Sequence, residues 1–216
     1  MDNGFLSVLA TLLTGAETAL KVSLGAAVIA MTGGLPLALS VVFTRIALVR
    51  VVIAVYVEWM RNVPALAHLF VLYFGLAAVG IRLTPLTAAI VGLGMVGAAI
   101  LCDVFVGGLR ALHVGQREAA LAVGLTPLQS LRFVVLPQML RLTLPSIGNY
   151  ASQLIKDTSI ASAIAAPEIM FYARNLVTST FQTPLIYATA ILLYASIVLP
   201  VSWLFALAER RLEARR

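Results

Sequence analysis

The chain has 216 residues, of which 61% are apolar and 11% charged, and it carries a formal charge of +6. An ordinary soluble domain holds roughly 25% charged residues, so a mean hydropathy of +1.01 excludes a water-soluble fold of this size. The single Cys102 excludes a disulfide scaffold, and bases spread thinly between apolar runs exclude a nucleic-acid-binding patch.

The composition predicts an all-α integral membrane protein. Met1 to Ala10 lacks a basic leader and carries Asp2 and Asn3, so no cleavable signal peptide is expected. A bilayer core about 30 Å thick takes roughly 20 apolar residues in a helix. In chain order, 23 uncharged residues separate Lys21 from Arg45, 20 separate Arg61 from Arg82, and 20 separate Arg82 from Asp103. A weaker run from Leu142 to Pro167 is interrupted by Lys156 and Asp157, and 34 uncharged residues run from Asn175 to Ala208. These predict five spans in one membrane domain, over about 19–44, 51–80, 84–106, 140–166 and 185–207. The second is either one long tilted helix or an interfacial turn followed by a shorter span.

Lys and Arg concentrate in cytoplasmic loops. Arg45, Arg50, Arg110, Arg117, Arg132, Arg141, Arg210, Arg211, Arg215 and Arg216 fall on one side, against Arg82 and Arg174 on the other. The C-terminus is therefore expected inside and the N-terminus outside.

Residues 107–137 form the one long polar loop, on the cytoplasmic side. Gly115 precedes a run of helix formers from Gln116 to Val123, and Gly124 suits the helix end because glycine accepts the left-handed conformation. Thr126-Pro127-Leu128-Gln129 reads as a capping box with proline in the first turn. Leu128, Leu131, Val134 and Val135 give this second helix an apolar face, and Pro137 is expected to end it. A loop lying on lipid headgroups prefers bulky anchors. The small residues Ala119, Ala120 and Gly124 instead suit close approach of a partner protein.

Ionisable residues inside spans are costly and mark function by default. Ser146, Asn149, Tyr150, Gln153, Lys156 and Asp157 recur at helical spacing, as a polar stripe that cannot face lipid. It reads as the wall of a translocation path or as a hydrogen-bonded helix interface. Lys156 and Asp157 point about 100° apart and are expected to pair with different neighbours. Glu58 and Arg61, three apart, are expected to pair within one helix. Asp103 either reaches the interface or lines the path. Gly92, Gly94 and Gly97 make the third span slim, for packing inside the subunit or between subunits. His68 is expected as a hydrogen-bonded interior residue, and His113 as loop surface. No metal-ligand spacing and no P-loop are present, so neither a metal site nor ATP hydrolysis is expected of this chain.

Glu118-Ala119-Ala120, Gly124 after three intervening residues and Leu136-Pro137 after eleven more resemble the EAA loop of ATP-binding-cassette (ABC) importer permeases. Tyr56, Arg61, Pro64, Leu72-Tyr73-Phe74-Gly75, Gly115-Gln116, Gln138, Pro145, Asn149, Lys156-Asp157-Thr158-Ser159, Pro167-Glu168 and Glu209-Arg210-Arg211-Leu212-Glu213 extend the match, in order, from about Thr18 to Glu213. The set resembles the polar-amino-acid uptake permeases of the histidine and glutamine type. The chain departs from that pattern at Asn62-Val63, at Ile100 and Asp103, and at Val106 before Gly107-Gly108.

The resemblance implies a type I importer permease fold in a bacterial inner membrane, and a subunit that is itself no enzyme. Implied partners are a cytoplasmic ATPase dimer holding ATP and Mg, a second permease subunit (identical or paralogous), an extracytoplasmic solute-binding protein, membrane lipid and an amino acid. Glu118, Ala119, Ala120 and Gly124 would couple to the ATPase. Glu58, Arg61 and the stripe on the fourth span would serve the path. Two other classes compete: a gradient-driven secondary transporter using Asp157, Lys156 or Asp103, and a non-transporting assembly protein.

Overall fold

A computed structural model describes residues 4–213, and the tail bases Arg215 and Arg216 lie outside them. The described chain is helical, without a strand. α1 (Gly4–Phe43) is 40 residues long and starts well ahead of the expected first stretch. It carries its two charges as an exposed pair one turn apart, Glu17 to Lys21 at 2.6 Å.

α2 (Ala47–Asn62) comes after a short turn. α3 (Ala65–Phe70), a π-helical turn Val71–Gly75 and α4 (Leu76–Ala78) then run as one rod, set at 104° to α2. The corner is local in origin. Pro64 has no N–H, and the residue before a proline is driven out of the helical region; Val63 sits at φ −93°, ψ 135°. The stretch 51–80 is thus two helices meeting at a sharp corner, not one tilted rod.

α5 (Pro85–Ala111) starts where the Thr84 hydroxyl accepts from the Thr87 N–H at 3.1 Å, with Pro85 in the first turn. α6 (Val114–Ala122) and α7 (Pro127–Ser130) make up the polar loop. Pro137 does not end the helical run that begins at α7. A π-helical turn, Leu131–Val135, lets the Leu136 N–H reach the Leu131 carbonyl five residues back, and α8 (Leu136–Asp157) continues past the proline. A 3₁₀ turn, Thr158–Ile164, closes α8. α9 (Ile169–Thr180), a short helix the charge pattern did not announce, then leads to α10 (Thr183–Glu213).

α1, α5 and α10 are long and apolar enough to cross a bilayer, and the bent α2–α4 pair qualifies together. α8 is too polar for that company. α10 presents Ile191, Leu192, Leu199, Trp203 and Leu204 outward, all more than half exposed, as a lipid-facing helix does.

α5 is the core helix, with Leu101 and Phe105 fully buried. Its glycines, Gly107 apart, make internal contacts with neighbouring helices. A Cβ on Gly94 would lie 2.7 Å from Ile29 of α1, on Gly92 2.5 Å from Leu69 of α3, and on Gly108 2.3 Å from Thr143 of α8. The small residues of the third span therefore serve packing within this chain.

Candidate functional site

The polar loop is built by local chemistry. The Nδ1 of His113 accepts from the Gly115 N–H at 3.1 Å and starts α6. At its other end Gly124 adopts φ +88°. Its N–H donates to the Leu121 carbonyl at 3.0 Å and that of Leu125 to Ala120 at 3.2 Å, the paired bonds of a Schellman reversal. The capping box at Thr126 is present in full: Gln129 N–H to Thr126 Oγ1 at 3.3 Å, and Thr126 N–H to Gln129 Oε1 at 2.8 Å.

This unit is tied to the helices on both sides. Gln138 of α8 donates to Gln116 Oε1 at 3.2 Å, and the Arg117 guanidinium lies over the Phe43 ring of α1 at 5.3 Å. Glu118, Ala119 and Gly124 are exposed. So are Val114 (69%), Val123 (79%) and Leu128 (73%) on the same loop. Ala120 differs from its motif neighbours: it is buried at 5% exposure, and α6 packs on the turn Leu131–Val135 and on α7.

The polar stripe of α8 divides. Ser146, Asn149, Gln153 and Lys156 stay exposed. Asn149, Gln153 and Lys156 line a cavity of about 420 Å³ between α8 and α10, together with Glu209. Ser152 and Ser202 bridge the two helices at 2.8 Å. Asp157 is half-buried and accepts from Gln153 at 2.7 Å, while Lys156 has no carboxylate within 4.0 Å among the described residues. Tyr150 turns inward to 9% exposure against Gly97 and Ala30, and its hydroxyl has no hydrogen-bond partner.

A buried hydroxyl without a partner is a cost that its removal relieves. Tyr150→Phe is therefore expected to leave thermal stability in detergent unchanged, or to raise it by up to about 1 kcal/mol, with uptake intact. A loss of uptake at unchanged stability would return Tyr150 to the transport path.

Arg61 does not pair with Glu58. Its guanidinium bonds the Asp103 carboxylate of α5 across 42 positions of sequence, while Glu58 accepts from Asn62 at 2.8 Å. The Arg61–Asp103 pair pins the end of α2 to α5 just before the corner. His68 has no partner on either ring nitrogen and lines an apolar cavity of about 370 Å³ with Trp59, Leu72 and Met95.

Sequence reasoning passed over Glu168 as a site, because glutamate is not among the residues preferred at a helix N-cap. Glu168 is fully buried; it accepts from the Phe171 N–H at 2.8 Å, capping α9, and from the Tyr194 hydroxyl of α10. Burial pushes its carboxyl up, against the opposing pull of the Tyr194 hydroxyl, two backbone N–H groups and the Arg174 charge. Arg174 itself donates to the Ser162 carbonyl at 2.6 Å. The cluster locks α9 to α10 and to the turn after α8.

With this geometry in view, comparison with known proteins is direct. Residues 30–214 match the family of binding-protein-dependent transport system inner membrane components. The glutamine transport system permease protein GlnP of Escherichia coli (strain K12) is 31% identical over 198 residues, 89% of this chain and 90% of that one. The L-cystine transport system permease protein TcyL of Bacillus subtilis (strain 168) is 30% identical over 187 residues, 83% of this chain and 78% of that one. The crystal structure of an amino acid ABC transporter with histidines superposes with a TM-score of 0.86 at 28% identity, covering 98% of this chain and all of that one. An inward-facing MetNI methionine ABC transporter shares the fold, with a TM-score of 0.78. These matches support neither a gradient-driven transporter nor an assembly protein. The chain belongs to the binding-protein-dependent inner-membrane components, the permease subunits of ABC importers.

Proposed function

We propose that this permease carries amino acids inward, in the polar or charged class, and that α6 and α7 are its coupling element. The substrate class rests on relatives named for glutamine and cystine and on the match to an amino acid transporter. The observation that carries the coupling role is the doubly capped α6–Gly124–α7 unit, exposed around Glu118 yet tied to α1 and α8.

In this reading the loop faces the cytoplasm, with the N-terminus outside and the C-terminus inside. It seats in a cleft of an ATPase dimer that holds ATP and Mg. Glu118 accepts hydrogen bonds there, and Val114 and Val123 supply apolar contact. Closure of the ATPase pair moves α6, and the ties to Phe43 and Gln138 pass that motion to α1 and α8. Access thus alternates between two states biased by a ligand bound elsewhere. A second permease subunit, identical or paralogous, completes the path, and an extracytoplasmic binding protein delivers the substrate. The exposed face of Asn149, Gln153 and Lys156 lines the route; Glu58, Arg61 and Asp103 hold the corner of α2 beside it.

Purification of the tagged chain in mild detergent is expected to bring down a P-loop ATPase in stoichiometric amount, with Glu118→Arg losing it. Reconstituted vesicles are expected to take up an amino acid from a panel including glutamine and cystine, with ATP and regardless of protonophore. Collapse of uptake by protonophore while ATP is present would overturn the reading.

A further inference from the structure

Between the C-terminal end of α1 and the start of α7 lies an open cavity of about 700 Å³. Arg45 and Arg117 line it, and no Asp or Glu does. Neither guanidinium has a carboxylate within 4.0 Å among the described residues. The stacking of Arg117 on Phe43 holds its charge at the cavity wall. Ser130 lines the same space, fully buried, and its hydroxyl has no hydrogen-bond partner. An orphaned buried hydroxyl beside a cavity gains a partner if an oxygen of a guest reaches it, since otherwise its desolvation goes uncompensated.

Two uncompensated guanidiniums and a free hydroxyl suit a guest with several anionic acceptor oxygens. Ser40 and Thr44 also line the cavity, the rest of the wall is apolar, and Phe43 (40% exposed) and Leu128 (73%) are among its lining residues. Hydrocarbon and phosphate occur together in one molecule at the end of a membrane span, and basic pockets on that side of a bilayer take lipid headgroups. We propose that this cavity binds the phosphodiester of an anionic phospholipid, with its oxygens on Arg45, Arg117 and Ser130 and its acyl chain along Phe43 and Leu128. A lipid seated there straps α1 to the loop that moves. The inference rests on the cytoplasmic, membrane-adjacent placement of the loop proposed above.

The test is native mass spectrometry of the full chain released from detergent, titrated with phosphatidylglycerol. The Arg45→Gln/Arg117→Gln chain is expected to retain phosphatidylglycerol about tenfold more weakly than the unaltered chain. Arg132→Gln, which removes a loop charge outside the cavity, is expected to leave retention unchanged. Phosphatidylcholine and inorganic phosphate at the same concentration are expected not to displace the lipid. Photoactivatable phosphatidylglycerol on the unaltered chain is expected to label residues 39–45 and 127–131, which keeps the test independent of how the variant folds. Equal retention by the double variant, an equal loss in Arg132→Gln, or labelling only elsewhere would overturn the proposal. Displacement by inorganic phosphate would assign the cavity to a soluble anion instead. The chain is tested without any ATPase, so failure here is distinct from failure of the coupling role.

Discussion

Gly124→Val is expected to insert and purify normally but to lose the coupling of ATP hydrolysis to uptake. Gly124 holds φ +88°, and a Cβ built there meets nothing within 4 Å. The penalty is therefore one of backbone conformation and not of collision, about 1–2 kcal/mol for an L-residue in the left-handed region. That lowers the ratio of native to non-native reversal by about 5–30-fold, which sets the upper limit on the expected fall in ATP-driven uptake. The bonds of Gly124 to Leu121 and of Leu125 to Ala120 orient α6 against α7, so the damage is to the shape of the coupling element. Gly124→Asn, which tolerates the same conformation, is expected to keep most of the uptake. The measurement is uptake against ATPase activity in the same vesicles. Normal coupling in the valine variant would remove the loop from its proposed role.

The largest loss of stability is expected from Gly15→Ala. A Cβ on Gly15 would stand 2.6 Å from the carbonyl carbon of Glu168 and 2.6 Å from the Ile169 nitrogen. Both are backbone atoms, and Glu168 is held by its cap on α9 and by Tyr194. Neither can yield without shifting the junction of α1, α9 and α10. Overpacking of this kind costs about 1–3 kcal/mol, and unyielding backbone places it at the upper end. Gly25→Ala is the comparison: the three atoms nearest its Cβ, the closest at 2.9 Å, all belong to the Ile90 side chain, which can shift by a few tenths of an ångström more easily than backbone can. Thermal unfolding in detergent is expected to separate the two variants clearly. Equal midpoints would show that the contact at Glu168 is softer than its geometry implies.

What could be read directly was what is decided within a turn or two of chain. The reversal at Gly124, the capping box of Thr126 and Gln129 and proline in the first turn of α7 all depend on neighbours no more than five residues apart, and each stands where the residues placed it. The corner at Val63-Pro64 has an equally local cause, although its angle does not. The membrane character comes from composition, and the family from an ordered set of short motifs, neither of which needs a fold.

Tertiary structure decided which partner each side chain meets. Arg61 had Glu58 within a turn, yet it bonds Asp103, because packing of α2 on α5 brings the more distant carboxylate into line. Tyr150 shares helical spacing with Asn149 and Gln153, but the notch at Gly97 draws it inward. Ala120 reads as suited to close approach of a partner, and packing within the chain buries it. The register of the Leu131–Val135 turn carried the helix past Pro137. In a chain this apolar, hydrophobicity does not tell one helix face from another, so helix crossing and the fit of small residues choose the contacts. Spacing along one helix limits those choices to a face; only the neighbouring helix selects among the residues on it.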